Sequence, residues 1–216
     1  MTTTLKIDFV SDIACPWCAI GLASLQKAID QVGGEVKAEI SFQPYELNPH
    51  MPVGGRDVFE YLTEKYGRTL TEVKASQENI YRRAADVGFA FHPEGRKRVY
   101  NTFNAHRLLH WAKEEHGAEA QLRLKKELFH TYFTLAINFD DQENILDAVA
   151  RAGLPIKRAQ EILNSNEYAQ AVRDQEQKYM QLGINSVPAI IFNSQYLIQG
   201  GQAPEVFAKA LLEYSQ

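Results

Sequence analysis

Cysteine is nearly absent from this 216-residue chain, which contains two. A disulfide framework of the kind that holds small secreted domains together is thereby excluded. Glycine and proline are also modest, at thirteen and eight residues, so neither a collagen-like repeat nor a low-complexity chain fits. No stretch approaches the ~20 apolar residues of a membrane span. With 23 basic against 27 acidic side chains and a formal net charge of -4, there is no general attraction to nucleic acid or to an anionic bilayer. The start, Met1-Thr2-Thr3-Thr4-Leu5-Lys6, lacks the charged and apolar regions of a secretory leader. The expectation is a cytoplasmic protein, where disulfides are rarely structural.

What is present suits a globular protein. Hydrophobic residues make up 45% of the chain, with ten tyrosines, eleven phenylalanines and two tryptophans, enough to offset chain entropy by burial. The length allows one large domain or a core domain with an insertion. No internal repeat recurs at a fixed period.

Leu5 to Val10 reads as a largely buried strand, and Val36, Ala38, Ile40 and Phe42 alternate with polar residues as a second. Between them Leu22, Leu25, Ala28, Ile29 and Val32 recur at helical spacing, stopped by Gly33-Gly34. Such a unit predicts a right-handed parallel crossover. From Arg56 to about Gln181 the pattern predicts helices over 56–66, 69–87, 96–116, 118–134, 142–152, 155–164 and 166–182. Short apolar runs then return: Ala189 to Phe192, a turn at Asn193-Ser194, Tyr196 to Gln199, and a last amphipathic helix after Pro204. The two ends form one small mixed sheet if the helical middle is an excursion from it.

The two cysteines occur as Cys15-Pro16-Trp17-Cys18, a spacing that about one in a hundred random placements would give. Pro16 suits the first position of a helix. Unpaired amides and the positive end of the helix dipole then favour a thiolate on Cys15, the form that attacks disulfides. Cys18, one turn on, shares its face and is placed to resolve a mixed disulfide. A structural disulfide closing so short a loop contributes little. A zinc site needs further ligands, of which His106 and His110 are the nearest candidates. Two inert packed cysteines are the third alternative. Ser186-Val187-Pro188 precedes the third strand, where a cis Val187-Pro188 bond would turn the Val187 backbone outward to pair with an extended substrate.

These features, in this order, resemble the thioredoxin fold with the helical insertion of DsbA-like proteins. More narrowly, the chain resembles the FrnE group, related to 2-hydroxychromene-2-carboxylate isomerase and kappa-class glutathione transferase. The likeness extends through Leu47-Asn48-Pro49 with Met51-Pro52, Glu60-Tyr61-Leu62, Asn101-Thr102, Ala105-His106-Arg107-Leu108, Leu128-Phe129 with Tyr132-Phe133, and Gly200 with Gln202 before Pro204-Glu205-Val206. It implies an α/β fold with a discontinuous thioredoxin-like domain, residues 1–50 and 166–216, and a helical insertion domain, residues 51–165, that roofs the site. It implies a cytosolic thiol-disulfide oxidoreductase or isomerase with Cys15 as nucleophile, Cys18 as resolving thiol, and Pro16, Trp17, Val187 and Pro188 against the substrate. No metal is implied; glutathione is a candidate co-substrate, and the partners are protein or small-molecule thiols and disulfides. A glutathione-dependent isomerase or transferase acting on a small aromatic or polyketide-like molecule is the alternative. Serine typically stands in those isomerases at the position matching Cys15. A redox-sensing binding or chaperone-like module is a further alternative.

Other side chains have plainer readings. Asp12 suits loop hydrogen bonding better than proton transfer with Cys18. His106 and His110 share an apolar helical face as interior histidines, with His106 the better candidate for lining a pocket. Arg82-Arg83 and Arg96-Lys97-Arg98 read as solvated helix faces, with anion binding as their functional alternative. Gly200, Gly201 and Gln202 read as a permissive loop near the cysteines.

Overall fold

The computed structural model describes residues 4–215. Met1 to Thr3, part of the segment read above for a leader, and Gln216 lie outside the described residues. Strand β1 (Thr4–Ser11) buries Leu5, Ile7 and Phe9. Helix α1 (Pro16–Val32) carries the chain to β2 (Lys37–Pro44), which runs parallel to β1 with Ile7 beside Ile40 and Phe9 beside Phe42. Parallel neighbours need such a crossover because a tight hairpin joins only antiparallel strands. Gly33 ends α1 at φ 60°, a left-handed value that glycine adopts at no steric cost, and its N–H donates to the Ile29 carbonyl.

A short ribbon of β3 (Arg56–Asp57), α2 (Val58–Tyr66), α3 (Leu70–Asp86) and β4 (Arg98–Val99) follows, with β3 and β4 paired antiparallel. Side chains fix both helix starts. Asp57 accepts from the amides of Phe59 and Glu60, and Thr69 with Glu72 forms a capping box. The helix expected over 96–116 begins later than its periodicity indicates. Arg98 and Val99 are held extended by β3, and α4 (Phe103–Phe129) starts where the Asn101 side chain accepts the Phe103 amide. The break expected at Gly117 is a kink, φ 84° and ψ 174°, across which α4 continues. A single π-helical turn, His130–Thr134, closes this long segment.

Helices α5 (Gln142–Arg151), α6 (Ile156–Leu163) and α7 (Ala169–Gln181) come next. Arg107 of α4 is buried and donates to the carbonyls of Ile162 (2.5 Å), Ser165 (2.5 Å) and Glu167 (2.9 Å). Those carbonyls lie at and beyond the end of α6, where helical partners run out. The chain then returns to the sheet. β5 (Ala189–Phe192) lies antiparallel to β1, and β6 (Tyr196–Gln199) antiparallel to β5, giving the order β2-β1-β5-β6. Phe192 pairs with Tyr196, so three residues, Asn193, Ser194 and Gln195, make the turn; Asn193 and Ser194 both have positive φ, 48° and 57°, and the Gln195 amide donates to the Phe192 carbonyl. Helix α8 (Pro204–Tyr214) packs beside α1.

The result is an α/β thioredoxin-like fold with a helical insertion between β2 and β5. One continuous core joins sheet residues such as Phe9, Phe42 and Ile190 to helical residues such as Leu108, Leu124 and Phe129. The insertion therefore closes directly onto the sheet, and the space left between its first helices and the start of α1 is lined by Cys15.

Candidate active site

Cys15 is the residue before α1, with extended backbone (φ -90°, ψ 112°), and Pro16 opens the helix. Both cysteines are free thiols and buried, Cys15 5% exposed and Cys18 0%. Their acidities are driven apart. The Cys18 thiol hydrogen-bonds to Cys15 and, with the amides of Cys18 and Trp17, holds the Cys15 thiol below its ordinary value; burial and the Asp12 charge oppose this. Burial, followed by the bond to Cys15 and its charge, pushes Cys18 well above the ordinary range. Cys15 is therefore the sulfur that ionises first, and Cys18 keeps its proton.

The loop before β5 faces this sulfur. The Val187-Pro188 peptide bond is cis, and Cys15 Sγ lies 3.7 Å from the Val187 carbonyl oxygen. The Pro188 carbonyl accepts from the Gly200 amide at 2.8 Å, tying this loop to the one after β6. Gly201 lies so close to the start of α1 that a Cβ there would meet the Trp17 carbonyl oxygen at 2.9 Å. The glycine loop thus does lie near the cysteines, as a packing surface. Gln202 is turned back into the loop, its carbonyl accepting from Ser24 Oγ (2.6 Å) and its side-chain amide donating to the Gln199 carbonyl (2.7 Å). Gly201→Ala is expected to push α1 outward at Trp17 and to destabilise the fold by about 1–3 kcal/mol. Denaturant unfolding measures this; an unchanged midpoint would mean that the contact relaxes freely.

Asp12 is fully buried beneath the pair. Its Oδ1 accepts from the Ala14 amide (3.2 Å) and its Oδ2 from the Leu47 amide (2.7 Å), while His106 Nε2 lies 3.4 Å from Oδ1. Burial raises the carboxyl's pKa, but these partners and Thr102 outweigh it and hold the group below the usual carboxylate range. Loop hydrogen bonding, the plainer sequence reading, is what the structure displays.

A cavity of about 680 Å³ opens beside Cys15, roofed by α2 and α3. Pro16, Trp17 and Val187 line it, whereas Pro188 is buried and takes no part in the lining. Tyrosines and Phe91 form much of its wall, and Lys65, Arg68 and Arg96 bring positive charge to it. Lys65 Nζ donates to the Leu47 carbonyl (2.9 Å) and to Asn48 Oδ1 (2.7 Å).

The family described as the DSBA-like thioredoxin domain matches residues 6–212. The chain belongs to the DsbA-like thioredoxin family. The crystal structure of a probable DsbA oxidoreductase from Streptomyces coelicolor is 30% identical, with a TM-score of 0.88 over 97% of this chain and 89% of that one. YwbO of Bacillus subtilis (strain 168) is 26% identical over 210 residues, 96% of each chain. The cytosolic disulfide reductase DsbM of Pseudomonas aeruginosa, solved with GSH, shares the fold at 14% identity, with a TM-score of 0.66 over 96% of this chain and 98% of that one.

Several side chains of this DsbA-like chain sit elsewhere than their sequence readings placed them. His106 does not line the large cavity. Its bond to Asp12 draws it under the site, while His110 packs on Tyr168 with ring centroids 5.2 Å apart. Neither joins the cysteines in a metal centre: among the described residues no group of three or more His, Cys, Asp and Glu side chains is placed to hold an ion. Arg82 and Lys97 are exposed, and Arg98 donates to the carbonyls of Gly54 and Gly55. Arg96 is not a solvated helix residue. Its guanidinium lies over the rings of Tyr132 (5.4 Å) and Phe133 (5.2 Å), which aims it along the cavity wall. Sequence reasoning missed Lys125, a fully buried lysine of α4. Its signal was position: it stands four residues after Gln121 and four before Phe129, both buried, inside the stripe that α4 turns to the sheet. Among the described residues no helix is long and apolar enough to cross a membrane.

Proposed function

We propose that this chain is a cytosolic thiol-disulfide oxidoreductase working through a mixed disulfide on Cys15, with Cys18 as the resolving thiol and Pro16, Trp17, Val187 and Pro188 shaping the substrate's approach beneath the roof of residues 51–165. The observation that carries the reading is the Cys15 sulfur itself. It sits at a helix start with its acidity raised by Cys18, 3.7 Å from the Val187 carbonyl, at the wall of a cavity. In the first step the Cys15 thiolate attacks one sulfur of a substrate disulfide, and the other sulfur departs as a thiolate. Cys18 then displaces the bound half, leaving Cys15 and Cys18 as a disulfide. A small thiol such as glutathione, two molecules per cycle, returns them to the dithiol and is itself oxidised. In a reducing compartment the dithiol is the resting form, so the direction proposed is reduction or isomerisation.

The test is a Cys18→Ser variant, which is expected to accumulate partners covalently held on Cys15, readable by intact mass. Alkylation of Cys15 in the reduced wild-type protein, where the Cys18 thiol is still in place, should follow the thiolate fraction. Because the Cys15 pKa is depressed, the rate should stay high as pH falls below the range where an ordinary thiol loses reactivity, and drop only at the lower folded value. Alkylation at pH 6 no faster than that of free cysteine, with no trapped species, would defeat the proposal.

A second reading is favoured by the cavity. Its aromatic walls and the cations Lys65, Arg68 and Arg96 suit a small anionic or aromatic molecule, and so a glutathione-dependent isomerase or transferase. Retention of both Cys15 and Cys18 favours redox exchange over it. Isothermal titration of the reduced protein with glutathione separates the two: absence of any binding removes the isomerase, while the exchange reaction needs only transient encounter.

A further inference from the structure

The chain is acidic overall, with a net charge of -4, yet Lys65, Arg68 and Arg96 all line the cavity beside Cys15. Among the described residues none of these three cations enters an ion pair. Glu46 supplies the lining's carboxylate, but its side chain is withdrawn, 2% exposed and bound to Arg173. The cavity is therefore positive, and low-dielectric walls focus that field on whatever enters.

The three cations are not equivalent. Lys65 is committed to the Leu47 carbonyl and Asn48 Oδ1, and Arg68 is exposed, with its Cζ 5.9 Å from the centre of the Tyr66 ring. Arg96 is half-buried and braced over Tyr132 and Phe133, and its Nε is buried without a hydrogen-bond partner. A buried donor left unpaired is costly, and a carboxylate is the partner that matches a guanidinium fork. The surroundings hold it in place. Phe91 lies between Tyr81 and Phe133, with centroids 5.1 Å from each, and all three rings line the cavity. Gly95, at φ 68°, leaves room for the Tyr81 hydroxyl beside the backbone that leads into Arg96; any side chain there would collide with it.

We infer that Arg96 is the specificity-determining residue of this cavity and selects small disulfides whose sulfur is joined to an aromatic ring bearing a carboxylate. The carboxylate meets the guanidinium, the ring lies against Tyr81, Phe91 and Phe133, and the sulfur faces Cys15. This rests on the oxidoreductase reading above. A cavity of about 680 Å³ falls in the range of small-molecule sites. The chemistry is the exchange already given: the Cys15 to aryl-sulfur bond forms, the substrate S–S bond breaks, and its electron pair leaves on the second aryl thiolate. Arg96 transfers no proton and forms no covalent bond.

The experiment offers the reduced protein three disulfides: bis(nitrobenzoate) disulfide, its bis(carboxamide) analogue, and glutathione disulfide. Each rate is divided by the rate with free cysteine, so that intrinsic reactivity cancels. Wild-type protein should favour the aryl carboxylate over the carboxamide by about tenfold or more in kcat/KM, and added salt should weaken that preference. In Arg96→Gln the ratio is expected to fall about tenfold, through KM more than kcat. Arg96→Lys should recover part of it, since it keeps the charge without the fork. A readout free of any variant's folding comes from phenylglyoxal modification of the wild type, mapped by mass: nitrobenzoate should shield Arg96 and nitrobenzamide should not. Equal normalised rates for carboxylate and carboxamide, or glutathione disulfide outrunning the aryl carboxylate, overturns the inference. So does a ratio unchanged within twofold in folded Arg96→Gln, as a merely structural brace would give, or an Arg96 that nitrobenzoate leaves unshielded. Failure of the parent reading looks different: the wild type would exchange with none of the three disulfides, while shielding of Arg96 would still report the anion site.

Discussion

Replacement of Cys15 by serine is expected to abolish disulfide exchange, and its effect should exceed that of any other single substitution. Serine forms no mixed disulfide, and the remaining thiol is poorly suited to take over. Cys18 is fully buried, and burial pushes its thiol well above the ordinary range, so very little of it is ionised at pH 6. Interconversion of dithiol and disulfide in glutathione buffers, followed by mass, should fall on the order of a thousandfold or more at that pH. Cys18→Ser should act in the opposite way, leaving attack intact and stalling release. This asymmetry follows from their positions: Cys15 stands outside the first turn, at the cavity wall, and Cys18 lies inside it, out of contact with solvent. Equal losses in the two variants would contradict it.

Phe133→Ala is expected to produce the largest loss of stability. The ring is fully buried, with centroids 5.1 Å from Phe91, 4.7 Å from Tyr132 and 6.1 Å from Phe129. It also carries the Arg96 guanidinium and forms part of the cavity wall. Truncation removes the apolar contact and leaves a void between α4's end and the segment of Phe89 and Phe91, which should cost about 3–5 kcal/mol. Denaturant unfolding measures it. Because the cysteines are held by α1 and the loops around β5, alkylation of Cys15 below the unfolding transition should change little. A loss under about 1 kcal/mol would mean that this aromatic cluster is not packed as described.

Much of the site was legible because its chemistry is local. Cys15-Pro16-Trp17-Cys18 fixes a nucleophile at a helix start through rules that act within one turn, and Val187-Pro188 before an apolar run marks the start of a strand. The four sheet strands were readable from alternation or short apolar runs, and the hairpin from Asn193-Ser194. What failed was non-local. Arg98 and Val99 lie in a segment with helical periodicity, yet they pair with residues more than forty positions earlier, and no window around residue 98 contains that partner. Arg96 and Lys97 are adjacent and chemically alike, but one lies over aromatic rings at the cavity and the other is exposed. His106 was rightly read as an interior histidine, but as a candidate for lining the large cavity it fails, because Asp12, ninety-four residues away, holds it elsewhere.

By itself, then, the sequence determined that the chain folds as two separated halves of a small mixed sheet around a helical excursion, and that Cys15 precedes a helix, since helix caps, strand alternation and turn chemistry depend on neighbours a few residues away. Only the tertiary structure decided which charges surround the two thiols. Lys125 and Lys126 are consecutive lysines on one helix, and the rotation of α4 against the sheet leaves one in the core against Phe42 and Phe129 and the other in water. A charge acts on a thiol through distance and dielectric, and both are set by packing between elements that the sequence keeps far apart.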